Sequence, residues 1–144
     1  MYHFRSTRRV YNKLNLQDKK PNQSCSFPSC DDASPRPVIE QNDTMHIIEN
    51  RVTYDIFEGR RVREHLMIIP LRHVETIADF TQQENSDYMA LIAKYEKQGY
   101  NIYARAVDSK TRSVKHQHTH LIKLADKPPK SIFYLRKPYF LMYI

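Results

Sequence analysis

The sequence predicts an α+β fold, a single antiparallel sheet carrying one long helix, and three observations support this. Short runs rich in β-branched and aromatic residues recur between turn formers, which is the pattern of strands. One segment after Thr81 carries apolar residues at helical spacing. The 144 residues suffice for one hydrophobic core, and the order of the elements is that of an α+β domain.

Taken in order, residues 1–37 are polar and basic and then rich in turn formers, with Pro21, Pro28, Pro35 and Pro37 interrupting any regular element. They read as an N-terminal arm or wrapping loop, and residues 38–144 as the folded domain. Met45–Ile48 and Val52–Phe57 are strands, with Glu49–Arg51 as the tight connection of a hairpin. Glu58–Glu64 reads as an exposed charged loop, and His65–Ile69 as a buried strand that Pro70 ends. Thr81 and Glu84 form a capping box, after which Tyr88, Leu91, Ile92 and Tyr95 mark the buried face of a helix that stops at Gly99. Asn101–Val107 and Val114–Leu124 are the next two strands, separated by a loop over Asp108–Arg112. The apolar runs Ile132–Leu135 and Tyr139–Ile144 are strand or extended chain that must be buried, a dimer partner being one candidate cover.

Composition narrows the function. A net charge of +7 favours an anionic partner, be it a phosphate-bearing small molecule, RNA or an acidic surface. Arg5, Arg8 and Arg9 sit where apolar periodicity is weak, and read as a solvated arm rather than a specific nucleic-acid site. The two glycines, Gly59 and Gly99, do not suffice for a glycine-rich phosphate loop. No run approaches the roughly 20 apolar residues of a membrane span, and no signal-peptide core follows the basic start. The expectation is a cytoplasmic protein. Cys25 and Cys30 are too few for a disulfide framework and are either metal ligands or free thiols.

The most informative segment is Ser113-Val114-Lys115-His116-Gln117-His118-Thr119-His120. A strand rises roughly 3.3 Å per residue and alternates its side chains, so His116, His118 and His120 are expected on one face, about 6 to 7 Å apart, with Lys115 pointing away. Taken alone, three such imidazoles suit covalent phosphate chemistry or a metal site equally. His3 and His46 read as uninvolved, and His73 as structural or dimer-facing.

Together with Leu66-Met67-Ile68-Ile69-Pro70-Leu71-Arg72-His73-Val74-Glu75 upstream, separated from it by one helix and one strand, this segment, continued through Leu121-Ile122, resembles the histidine triad (HIT) family over roughly residues 38–124. The resemblance implies a small α+β fold that forms a homodimer through joined sheets and cleaves purine nucleotides at the α-phosphate. It implies His118 as the nucleophile, His116 and His120 as flanking members that bind phosphate oxygens or position neighbours, and Ser113 as a donor to the phosphate or leaving group. His65 matches a further active-site histidine, and Asp55 lies near the family's ribose-binding acid, with a longer loop to His65 here. Three departures are evident. Gln117 and Thr119 replace apolar residues between the histidines, Arg105 stands near a frequent phosphate-contacting asparagine, and Arg112 precedes Ser113 where glutamine or glycine is usual. Two guanidiniums beside a phosphate suit a more anionic substrate or a longer polyphosphate.

No cofactor is required by this reading. Some relatives hold a structural zinc with a cysteine pair, the histidine matching His65 and the first triad histidine. The corresponding set here is Cys25, Cys30, His65 and His116, with four residues between the cysteines rather than two. Two other readings stand beside the enzyme: a nucleotide- or RNA-binding module of the same fold, and a zinc protein without nucleotide chemistry. Membrane association is not expected, and nucleic acid is the less favoured partner.

Overall fold

The computed structural model describes residues 3–18, 27, 38–128, 131–135 and 140–143. Cys25, Cys30 and the four prolines of the arm lie outside them. The elements are α1 (Arg5–Asp18), β1 (Val38–Gln41), β2 (Met45–Glu49), β3 (Ile56–Phe57), β4 (Arg60–Pro70), α2 (Gln82–Lys97), β5 (Tyr100–Ala104), β6 (Thr119–Leu124), β7 (Ile132–Leu135) and β8 (Phe140–Tyr143). The main sheet is antiparallel with strand order β1-β2-β4-β6-β5, and β3 pairs with the start of β4. β7 and β8 pair with each other.

Four local expectations are corrected. The hairpin anticipated between Met45–Ile48 and Val52–Phe57 does not form, because β2 pairs with β4. The hairpin instead joins β3 to β4 through Glu58 and Gly59, both at positive φ (48° and 74°), as the two central residues of a primed turn require. The segment expected as a charged loop is therefore the first half of β4, where burial alternates residue by residue. Residues 5–18 of the expected arm are helical. Finally, the histidine strand is shorter than expected. β6 begins at Thr119, and Gln117 donates its N–H to the Val74 carbonyl at 2.6 Å, so the chain carrying His116 and His118 is held by the loop after β4.

Alternation along the strands gives the sheet two unlike faces. Met45, Ile47, Leu66, Ile68 and Leu121 pack against Tyr88, Leu91 and Tyr95 of α2. The capping box of α2 is present, and Glu84 also takes a two-pronged bond from Arg72 (2.7 and 3.0 Å), which ties the helix to the end of β4. Thr119, fully buried on this face, satisfies its hydroxyl on Tyr88 Oη at 2.7 Å, so the polar residue between the histidines is accommodated. Thr119→Val should cost about 1 to 3 kcal/mol in urea denaturation by stranding the tyrosine hydroxyl, and adding Tyr88→Phe should recover most of it. The opposite face carries His46, Ile48, His65, Met67, Ile69, His120 and Ile122, and is where the site lies.

Candidate active site

The register of β4 against β6 pairs His65 with Ile122 and Met67 with His120, so His65 and His120 are diagonal neighbours on one face. Their rings meet, His65 Nε2 to His120 Nδ1, at 2.9 Å. The proton positions follow from one backbone group. Tyr54 N–H can only donate and points at His65 Nδ1 (3.2 Å), so that nitrogen is an acceptor and the neutral ring carries its proton on Nε2. His65 therefore donates to His120 Nδ1, and His120 turns its own Nε2–H toward Tyr54 Oη at 3.4 Å, a long bond. Arg105 Nη2 donates to the same hydroxyl at 2.7 Å. Asn50 Nδ2 lies 3.0 and 3.4 Å from the two nitrogens of His65. An atom that close to both cannot sit in the ring plane without overlapping the carbon between them, so the amide lies over the ring face.

His118 is poised differently. Its Nδ1 lies 2.9 Å from the His116 carbonyl, so the proton resides there and Nε2 keeps its lone pair. Burial lowers its pKa, opposed by that carbonyl, and Arg112 and Arg105 lower it further, so the ring is neutral at pH 7. Burial likewise drives His65 to about 3 and His116 to about 4, and takes His120 well below the usual imidazole range. The whole cluster is neutral.

The structure brings His118 and His120 together, with ring centroids 5.1 Å apart and nearly perpendicular. His116 is turned elsewhere: its Nε2 meets the Pro70 carbonyl at 3.1 Å and its ring packs on His73 at 4.7 Å. His65 spends Nδ1 on Tyr54 and Nε2 on His120, and the other members of the zinc set that the resemblance implies, Cys25 and Cys30, lie outside the described residues. Among the described residues no group of three or more His, Cys, Asp or Glu side chains is arranged to hold a metal.

Ser113 is exposed in the loop ahead of the triad. Arg105 reaches the cluster through Tyr54, and its other branch bonds the Thr111 carbonyl. Arg112 grips the carbonyls of Val114 (3.1 Å), Glu75 (2.6 Å) and Lys115 (2.6 Å) and Gln117 Oε1 (3.2 Å), while its Nη1 is buried with no partner among the described residues. Asp55 lies beside Tyr54, but both its oxygens are taken by the N-terminal segment: Phe4 N–H at 2.7 Å and Thr7 Oγ1 at 3.0 Å.

Three participants were not anticipated from sequence. Tyr54 closes the His65–His120 loop, Phe27 sits edge-on to His116 and His118 at 5.8 and 5.2 Å, and His3 lies on Tyr54 at 5.5 Å. The adjacency of Tyr54 to Asp55 was the available signal for the first; nothing in the sequence points to the other two.

A family model for the HIT domain matches residues 41–126, which is more than half of the chain. The chain belongs to the HIT family. Among solved structures, this HIT protein is similar to a HIT family hydrolase from Clostridium thermocellum, at 17% identity and a TM-score of 0.51, over 67% of this chain and 86% of that one. It is also similar to a Hit-like protein involved in cell-cycle regulation from Bartonella henselae, at 15% identity and a TM-score of 0.50, over 83% and 81%. At these identities the likeness concerns the fold. No curated protein matches the sequence.

Proposed function

We propose that this HIT protein is a nucleotide hydrolase or nucleotidyl transferase acting on a purine nucleoside phosphoramidate or dinucleoside polyphosphate. The observation that carries the reading is the neutral His118, with Nδ1–H tied to the His116 carbonyl and the Nε2 lone pair left over. That lone pair attacks the α-phosphorus, and the leaving group departs with the electrons of its bond to phosphorus. Water or an acceptor phosphate then displaces the imidazole and restores His118. Arg105, Arg112, His120 and Ser113 supply donors for charge developing on the phosphoryl oxygens, each such donor being worth on the order of 3 kcal/mol. Asp55 receives the ribose hydroxyls, and His116 holds the chain behind the nucleophile.

The protein works as a cytoplasmic homodimer in this reading, and no helix among the described residues is long and apolar enough to cross a membrane. In this reading nucleic acid is the less favoured partner, no membrane is involved, and the chemistry requires no cofactor. A nucleotide-binding module without turnover is the second reading. It is favoured by Arg105 and Arg112, which depart from the family pattern and whose guanidiniums bond groups of the protein itself. Turnover of an AMP phosphoramidate, a diadenosine polyphosphate and a nucleotide sugar by the full chain separates the two. Cleavage of one member is expected; binding of all without cleavage would support the module.

A further inference from the structure

All four imidazoles of the site are buried, His65 at 1%, His116 and His120 at 4% and His118 at 6% exposure, so a nucleotide reaches His118 Nε2 only after some cover moves. The residues leading into α1 and its first turn cover Asp55, which the nucleotide reading assigns to the ribose, and lie against the neighbouring Tyr54 ring. Phe4 N–H and the Thr7 hydroxyl each donate to one oxygen of Asp55, as two neighbouring ribose hydroxyls would. The His3 ring stacks on Tyr11 at 5.7 Å and meets Tyr54 at 5.5 Å, tilted by 53°, and Tyr54 in turn lies 4.5 Å from His65.

The cover is held in a way that permits release. None of the described α1 side chains, those of residues 5–14, belongs to the three hydrophobic clusters. A cavity of about 330 Å³ opens between the helix, at Ser6, Thr7 and Val10, and residues 49–53 at the end of β2 and just after it. Arg61 adds a cation–π contact over the Phe4 ring at 5.7 Å. An element anchored by bonds to a carboxylate and by ring contacts, with its described side chains outside the hydrophobic clusters, belongs to the part of a fold that opens at low cost.

We propose that residues 3–11 are a built-in competitor for the nucleoside, a segment that mimics ribose hydroxyls with Phe4 N–H and Thr7 Oγ1 and a base with His3, and that must swing off Asp55 and Tyr54 before substrate binds. The proposal rests on the nucleotide reading of the site. Because only the open fraction binds, apparent affinity is the intrinsic affinity scaled by that fraction, and loosening the segment tightens binding without altering the chemical step.

The full chain and its His3→Ala/Thr7→Val variant, titrated with AMP in a calorimeter, test this. The variant should bind AMP about tenfold more tightly, and its KM should fall in parallel with kcat within about twofold. Equal or weaker binding by the variant would overturn the proposal, weaker binding making residues 3–11 a wall of the nucleoside site. Hydrogen exchange on the unaltered protein gives a second reading: saturating AMP should strip protection from the Phe4 amide, and increased protection there would equally defeat the idea. If neither protein binds AMP nor cleaves any of the three nucleotides, the nucleotide reading itself has failed. If both bind AMP alike and turn over, only the competitor has failed.

Discussion

His118→Ala should lower kcat by at least about 10⁴-fold on whichever nucleotide the wild type cleaves, with the Kd for AMP held within about threefold, since removal of a nucleophile leaves only binding and phosphate-stabilising groups to act. The size of the effect follows from how the ring is prepared. The His116 carbonyl fixes the proton on Nδ1, and burial keeps the ring uncharged, so nearly every molecule carries a usable Nε2 lone pair at pH 7. Alanine deletes the nucleophile and leaves the Arg105–Tyr54 and Arg112 networks in place. His116→Ala is the instructive companion. The acceptor that orients His118 is the backbone oxygen of residue 116, which alanine retains, so this second variant should lose far less, on the order of 10- to 100-fold. Steady-state kinetics on both proteins decide the matter, together with a search for a nucleotidyl group on His118 in quenched wild-type reactions. Turnover surviving in His118→Ala would end the covalent mechanism.

Acid should destabilise this protein well before its carboxylates protonate. His65 and His116 titrate at about 3 and about 4 in the folded state against 6.5 when exposed, because burial penalises the imidazolium. Above pH 6.5 both are neutral, folded or unfolded, and contribute no pH dependence. Below it the unfolded chain takes up protons that the folded chain refuses, so stability falls as pH falls until the folded values are reached. Each group loses about 1.4 kcal/mol per pH unit in that window. The pair therefore removes about 4 kcal/mol by pH 5, a large share of the roughly 5 to 15 kcal/mol typical of a domain. His118 and His120 are shifted the same way and steepen the loss. Glu84, held below its ordinary value by Arg72, and Glu40, held down by Lys94, act only under pH 4.5 and leave the interval from 6.5 to 5 to the histidines. Urea denaturation at half-unit steps from pH 8 to 5 should show a plateau to about 6.5 and a steep decline below. A curve flat to pH 5 would mean that the folded protein protonates these rings after all.

What this sequence determined by itself was whatever rests on local pattern. The capping box at Thr81 and Glu84, the apolar stripe Tyr88, Leu91 and Tyr95, and the HIT resemblance of residues 66–75 and 113–122 all reappear in the fold, because caps, periodicity and motifs are written in near neighbours. The shape of α1 was hidden by its polarity. Its narrow stripe of Thr7, Tyr11 and Leu14 lies at helical spacing, but arginines and asparagines dilute the signal.

Pairing partners are set by contacts distant in the chain, so only the tertiary structure decided that β2 chooses β4 over residues 52–57, and that the positive-φ pair Glu58 and Gly59 makes the hairpin instead. The same holds for the site. Alternation promised three imidazoles in a row, yet Val74 holds the backbone at Gln117, His116 turns to Pro70, and His65 takes the place beside His120. The proton order of that pair is dictated by a backbone N–H eleven residues from His65. Asp55 was recognisable as a carboxylate in the right region, but that its oxygens are occupied from 48 and 51 residues away depends on where folding puts the N-terminal segment, which no spacing in the sequence records.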